Sequence, residues 1–259
     1  MTVETDECRP VPGGLVGSVQ RALRVLEAVA SAGDGVTAKA VARRCGFKLS
    51  TTYHLLGTLV HEGYLVRLPN ARGYGLGYQV AGLHQRLHEQ LLPSPGVTDA
   101  LRHAHRVGGT AVYFSVLRDA HLVVADVVDS PRAPRVRPLD VGFHEAAHAT
   151  AFGKVLLAFL PADRRRDYLA GAGLHRLTGR TITRLADLEE QLARVRATGV
   201  ADEIEEFRPD LACVAAPVRD DRGTVVGAVA ASAPAPYFSA HRDRMIEAVR
   251  QGADLLGPC

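Results

Sequence analysis

Thr37-Ala38-Lys39-Ala40-Val41-Ala42-Arg43-Arg44-Cys45-Gly46-Phe47-Lys48-Leu49-Ser50-Thr51-Thr52-Tyr53-His54-Leu55-Leu56-Gly57 decides the fold, because it reads as two short helices hinged at a glycine. Thr37 is placed to cap the first helix, whose Ala38, Val41 and Cys45 share one apolar face at 3/4 spacing. Gly46 stands where a helix C-terminus needs positive φ. A second helix is expected from about Leu49 to Glu62, closed by Gly63. Thr52, Leu55, Leu56 and Leu59 fall on one side of it, and Ser50, Tyr53, His54 and Gly57 on the other. A hairpin follows: Tyr64 to Arg67, a turn at Pro69-Asn70-Ala71-Arg72-Gly73, then Tyr74 to Leu76. Two short helices at a glycine-containing angle, followed by a β-wing, form the winged helix-turn-helix that lays one helix in the DNA major groove.

Charge supports this reading. Between Val36 and Arg86 the basic residues are Lys39, Arg43, Arg44, Lys48, Arg67, Arg72 and Arg86, against the single acid Glu62. This local excess of six exceeds the net +3 of the whole chain. Binding a phosphate backbone requires such a concentrated surface. Solvated charges on a three-helix packing unit are the plainer alternative.

The 259 residues suit two domains, each able to bury its own core. No apolar run is long enough to span a bilayer, and Met1 to Gly17 has no signal-peptide hydrophobic region, so a cytoplasmic protein with no membrane partner is expected. Cys8, Cys45, Cys213 and Cys259 lack metal-ligand spacing; reduced thiols, no metal and no cofactor are expected.

The domain reading is residues 1–17 as a disordered segment, 18–77 as the DNA-binding domain, 78–94 as a linker helix and 95–259 as a second domain. A helix from Ser18 to Ser31, capped by Ser18, carries Val19, Leu23, Leu26 and Ala30 on one face and is expected to pack beneath the other two helices, with contact to a dimer mate as a further role. The linker helix runs from Tyr78 to Leu92 before the boundary Pro93-Ser94-Pro95-Gly96. Beyond it a helix is expected over Val97 to Val107. Strands over Ala111 to Leu117 and His121 to Val128 flank a turn at Arg118-Asp119. Helices follow over Ala149 to Leu160 and Leu185 to Thr198, the latter capped by Thr183. Strands over Ala212 to Val218 and Val225 to Ser232 flank the turn Asp220 to Gly223, and a last helix covers Ser239 to Leu256. A central antiparallel sheet with helices on its sides makes the fold α+β.

From Ser18 to Leu256 the chain closely resembles the isocitrate lyase regulator (IclR) family of bacterial transcription factors. The resemblance is carried by Ser18-Val19-Gln20-Arg21-Ala22-Leu23, Ser50-Thr51-Thr52-Tyr53-His54-Leu55-Leu56 and Glu62-Gly63-Tyr64-Leu65. It continues in His148-Ala149-Thr150-Ala151-Phe152-Gly153-Lys154, Thr181-Ile182-Thr183 and Glu205-Glu206 followed by Cys213-Val214-Ala215-Ala216-Pro217-Val218. It implies a winged-helix domain joined to a GAF-like effector domain. It also implies homodimers, often dimers of dimers, on palindromic operators of double-stranded DNA, and a small organic effector that alters operator affinity. No enzymatic activity is implied.

For DNA contact the candidates are Thr37, Lys39, Arg43, Arg44, Lys48, Ser50, Thr51, Tyr53, His54, Arg67 and Arg72. Leu49 stands where the family often has Lys, and His54 where it often has Arg, so bidentate guanine reading by Arg is absent at position 54. For any single arginine, service to a helix dipole or a solvated turn is the alternative role. For effector binding, the resemblance points to Ala151 and Phe152 through their backbone amides, and to Glu203, Cys213 and Ser232. Plain strand packing is the alternative for Cys213 and Ser232. Phe152 is bulky where the family has small residues, Glu203 replaces a shorter carboxylate and Ala230 lacks a hydroxyl. These departures imply a reshaped pocket, more apolar or unresponsive to small keto acids.

His144-Glu145-Ala146-Ala147-His148 matches the zinc-protease pattern H-E-x-x-H. That chemistry requires both histidines on one helical turn, and Gly142-Phe143 in front of them reads as loop. A zinc hydrolase is therefore the weakest reading, below a non-enzymatic scaffold that keeps the fold. The direction of regulation is not encoded in any of these residues.

Overall fold

The computed structural model describes residues 14–33, 35–68, 73–91, 96–118 and 121–257. They form two compact units, divided between Arg86 and Leu87. The expected wing turn at 69–72, the boundary at 93–95, the turn residue Asp119, the termini with Cys8 and Cys259, and residues 1–13 of the leading segment lie outside the described residues.

The first unit contains α1 (Gly17–Ala32), α2 (Ala38–Cys45), α3 (Leu49–His61), β1 (Leu65–Leu68) and β2 (Gly73–Leu76). Thr37 caps α2 by accepting from Ala40 N at 3.3 Å, and Gly46 ends it at φ 69°. Val25, Ala28, Val29, Val41, Leu56, Leu59 and Leu65 make its core. β1 and β2 pair antiparallel from Leu65↔Leu76 to Leu68↔Gly73, and Val36 bridges to Tyr74. There is no room for a side chain at Gly73, because a Cβ would collide with the Gly35 carbonyl. Two details of α1 differ from expectation. Val16, in extended conformation, is the capping residue, and Ser18 lies inside the first turn. The helix turns Val25, Ala28 and Val29 inward and leaves Val19 and Leu23 half exposed. The sequence carries two apolar stripes, and the one centred on Val25 is packed within the unit.

α4 (Tyr78–Leu91) crosses the division between the units. In the second unit α5 (Val97–Gly108) precedes the hairpin β3 (Ala111–Arg118) and β4 (His121–Val128). Then come a 3-10 turn (Ala147–Ala149), α6 (Ala151–Phe159), α7 (Ala162–Ala172), α8 (Leu185–Thr198), β5 (Ala201–Ile204), β6 (Leu211–Arg219), β7 (Val225–Pro234) and α9 (Ala235–Asp254). The strands form one antiparallel sheet, ordered β4-β3-β7-β6-β5. One face, with Tyr113, Val124, Cys213 and Ala230, packs on Val155, Leu157, Leu188 and Leu192 of α6 and α8. The other, with Phe114, Val214 and Val229, packs on Leu101, Met245 and Val249 of α5 and α9. Alternation of small and branched side chains along β6 and β7 lets helices approach both faces. His88 Nε2 and Thr98 Oγ1 meet the buried Asp126 carboxylate at 3.1 and 2.7 Å, which ties the end of α4 and the start of α5 to β4.

Three expectations are corrected here. Arg184, not Thr183, precedes α8, and no side chain caps it. α9 starts at Ala235, four residues early, because Pro236 falls in the first turn, where its missing donor is not needed. The helix expected over Ala149 to Leu160 is broken at Thr150, whose extended backbone separates the 3-10 turn from α6. α7 and β5 were not expected from the sequence pattern.

Candidate DNA-binding face and effector-unit cleft

α3 buries Thr52, Leu56 and Leu59 and turns Ser50, Tyr53 and His54 to solvent, with Thr51 half buried at the margin. The division follows from the 100° step of the helix. Thr52 Oγ1 donates to Lys48 O at 3.1 Å, so this hydroxyl is spent inside the helix. No side chain caps the start of α3, which leaves its first amides facing outward as a helix N-terminus does toward a phosphate. Thr37, Lys39, Arg43, Arg44, Lys48 and Arg67 are all exposed in the same unit. None of these cations has a carboxylate partner among the described residues. Arg43 and Arg44 occupy the last turn of α2, where they also complement its dipole. Arg72 lies outside the described residues.

In the second unit, Glu203, Cys213 and Ser232 are opposite one another across β5, β6 and β7, which puts them in one row on one face of the sheet. Ala151 and Phe152 open α6, which packs on that face. The fold therefore brings the five candidates to one region, and it buries all of them. Phe152 is 1% exposed and meets Phe143 edge to face at 6.3 Å, and Phe143 in turn meets Phe207 at 5.6 Å. Glu203 Oε2 accepts from Glu206 N at 2.9 Å and Phe207 N at 3.3 Å, while burial pushes its carboxyl up to about 7. Burial and the adjacent Glu203 push the Cys213 thiol well up. Ser232 Oγ lies 3.0 Å from Tyr113 Oη, which accepts from Val136 N at 3.1 Å. Burial pushes the Tyr113 phenol up to about 12.

Of the five candidates, Ser232 alone lines a cleft of about 570 Å³. It is lined by residues 132–137 together with Arg208 and Asp210, and by Tyr237 of α9. Arg135 is locked in place: Nε and one terminal nitrogen each lie 3.0 Å from the Asp129 carboxylate, and the other nitrogen is 2.6 Å from Asp140. Asp129 is held below the usual carboxylate range by this pairing. Arg208 donates to Arg137 O at 3.0 Å. The sequence signal for this cleft was the interleaving of Pro131, Pro134 and Pro138 with Arg132, Arg135 and Arg137.

The H-E-x-x-H match does not adopt the geometry of a zinc site. Residues 143–146 are not helical, Ala146 has φ 53°, and the two histidines point to different partners. His144 Nδ1 lies 2.9 Å from Gly142 O, and the buried His148 Nε2 lies 2.9 Å from His175 O. No group of three metal-ligating side chains occurs among the described residues.

Family sequence models match in two consecutive stretches. The model described as the IclR helix-turn-helix domain covers residues 18–69, and the one described as bacterial transcriptional regulator IclR C-terminal covers residues 97–256. The glycerol operon regulatory protein of Streptomyces griseus is 33% identical over 222 residues, 85% of each chain. A transcriptional regulator from Rhodococcus sp. RHA1, known from its crystal structure, matches with a TM-score of 0.76 and 29% identity over 93% of this chain and 97% of that one. An IclR homologue from Microbacterium hydrocarbonoxydans, complexed with 4-hydroxybenzoate, shares the fold with a TM-score of 0.72 at 21% identity, over 92% and 97% of the two chains.

Proposed function

The chain belongs to the IclR family of DNA-binding bacterial transcriptional regulators, and from that premise we propose that a small organic effector, received in the second unit, sets its affinity for an operator. Residues 18–77 act as the DNA-binding domain, 78–94 as the linker helix and 95–259 as the effector domain. The observation that carries the DNA end is the solvent face of α3, where Ser50, Tyr53 and His54 are exposed on a helix with no side-chain cap, in a unit whose exposed Lys39, Arg43, Arg44, Lys48 and Arg67 have no carboxylate partner among the described residues. Ser50, Thr51, Tyr53 and His54 serve as groove contacts. Thr37, Lys39, Arg43, Arg44, Lys48, Arg67 and Arg72 hold the phosphate backbone.

The working form is a homodimer, with pairs of dimers on longer operators. Val16, just before α1, and Val19 and Leu23 on α1 are more than half exposed, large apolar side chains suited to a second copy. Two copies related by a two-fold axis present their recognition helices one DNA turn apart, about 34 Å, which requires a palindromic operator. No helix among the described residues is long and apolar enough to cross a membrane, in keeping with a cytoplasmic regulator. The effector role draws support from the ligand-bound homologue of the same fold.

Footprinting on genomic fragments tests the proposal. Protected palindromes, with protection altered by a small acid, are expected. Absence of protection at low salt would refute it.

A further inference from the structure

We infer that the effector is a small amino acid with an uncharged side chain, held on the inner face of the sheet between the start of α6 and the carboxyls of Glu203 and Glu206. This rests on the reading that the second unit receives an effector, and it names that molecule's chemical class. Three buried oxygens carry it. Glu203 Oε1, Glu206 Oε2 and Thr150 Oγ1 have no hydrogen-bond partner, although their residues are 1%, 7% and 1% exposed. Native cores leave few polar atoms in this state, and three of the six such atoms among the described residues gather here.

The bonds around them place all three in one neighbourhood. Glu203 Oε2 accepts from Glu206 N at 2.9 Å, which sets the two acids side by side. Glu206 Oε1 is taken by Lys154 Nζ at 2.5 Å. Lys154 follows Thr150 by one helical turn, and its amide donates to Thr150 O at 2.9 Å. Long helical side chains lean back toward the helix start, which carries this ammonium and the Glu206 bound to it over the turn that Thr150 opens.

The charges there are two carboxyls and one ammonium. His148, near Lys154, is held below its ordinary range by burial and is neutral at pH 7, with Nε2 2.9 Å from His175 O. Asp202, which also acts on Lys154, is paired with Arg242 at 2.7 Å. With Glu203 ionised, Lys154, Glu203 and Glu206 together carry one net negative charge. A ligand ammonium balances it and brings three donors to three acceptors. A plain carboxylate adds like charge and no donor. The acid end of the ligand has its own place: no side chain caps α6, whose first amides, those of Ala151 and Phe152, have no partner within the helix and lie buried at its positive end. Phe207, whose amide donates to Glu203 Oε2 at 3.3 Å, meets Phe143 edge to face, and Phe143 meets Phe152 in the same way. These rings offer an apolar wall to an uncharged side chain.

Calorimetric titration of the full-length protein tests this with L-alanine and L-leucine. Each is measured beside its counterpart without the amino group (propionate, 4-methylpentanoate) and without the carboxyl group (ethylamine, 3-methylbutylamine). At least one amino acid is expected to bind at least about tenfold tighter than both of its counterparts, as loss of a charge-assisted contact implies. Thr150→Val keeps the side-chain shape and breaks no hydrogen bond of the hydroxyl. It and Glu203→Gln should each weaken that amino acid about tenfold. Circular dichroism of each variant checks that the fold is intact. No binding of either amino acid, equal binding within both sets, or affinities unmoved by both substitutions would overturn the inference and leave the three oxygens to buried water. Operator binding is measured in parallel. An acid without an amino group that shifts operator affinity while neither amino acid binds would sink this inference and leave the effector reading standing. An amino acid that binds, is weakened by both substitutions and leaves operator affinity unchanged would do the reverse.

Discussion

Lys154 Nζ lies 2.5 Å from Glu206 Oε1, with the lysine wholly buried and the glutamate nearly so. The pair joins α6 to the loop after β5, whose backbone is held by Thr178 Oγ1 donating to Glu205 O and Thr181 Oγ1 donating to Glu206 O. A buried pair is costly to break on one side, because the remaining charge is left without its partner. Lys154→Met should therefore destabilise the protein by about 3–5 kcal/mol in chemical denaturation. Lys154→Met combined with Glu206→Leu should recover most of that loss. A single-variant effect below about 1 kcal/mol would show that the pair does not hold this loop.

Glu203 should make stability depend on pH. Its folded-state pKa of about 7 exceeds the 4.5 of a free glutamate, so the folded state holds the proton more tightly. The stabilising contribution is complete below about 4.5 and is lost as the pH rises through 7. The loss is about 3 kcal/mol by linkage for a shift of this order. Glu203→Gln should flatten the pH profile of the unfolding free energy between pH 5 and 7.5 relative to the unsubstituted protein. Parallel profiles would place the titration elsewhere.

Gly73 meets the Gly35 carbonyl so closely that no Cβ fits. Gly73→Ala should force the base of the wing away from the bridge between Val36 and Tyr74 and destabilise the first unit by about 2 kcal/mol. Differential scanning calorimetry reads this as a lowered transition of that unit. An unchanged transition would mean that the wing has slack at its base.

At the DNA face, Arg43→Ala, Arg44→Ala and Lys48→Ala should each weaken operator and random duplex alike and make the log–log salt slope shallower by about one. His54→Ala should instead erode the preference for operator over random duplex, by about 1–3 kcal/mol if it reads a base edge. Competition binding at several salt concentrations separates the two behaviours. A basic variant that lost only operator affinity would be a base reader, contrary to its phosphate role here.

The helix pair of the first unit was legible because its punctuation is local: Thr37 and Gly46 fix the ends of α2, and their geometry depends on neighbours within a few residues. β3 and β4 were legible from their β-branched runs, as was the hairpin order. α7 was missed because Asp163-Arg164-Arg165-Arg166-Asp167 has no apolar period, and of its residues Leu169 is the one buried. β5 was missed because it is four residues long and carries Asp202 and Glu203, with Glu203 turned inward against the usual preference. The Val19–Leu23 stripe of α1 reads from sequence as its packed face, but two stripes qualify, and packing against α2 and α3 selects the one with Val25, Ala28 and Val29. Glu203, Cys213 and Ser232 could be grouped from the family resemblance, and strand register puts them in one row. The arginine cleft was hidden because Arg132 and Arg137 meet Arg208 across some seventy residues of chain, a proximity that only the folded sheet creates.

The central claim is tested most directly by selecting genomic fragments on the full-length protein, with and without organic acids, and measuring each fragment against competitor DNA. The account predicts a palindromic sequence bound well above competitor, with its affinity shifted by at least one acid. Equal affinity for all fragments under every acid would contradict it.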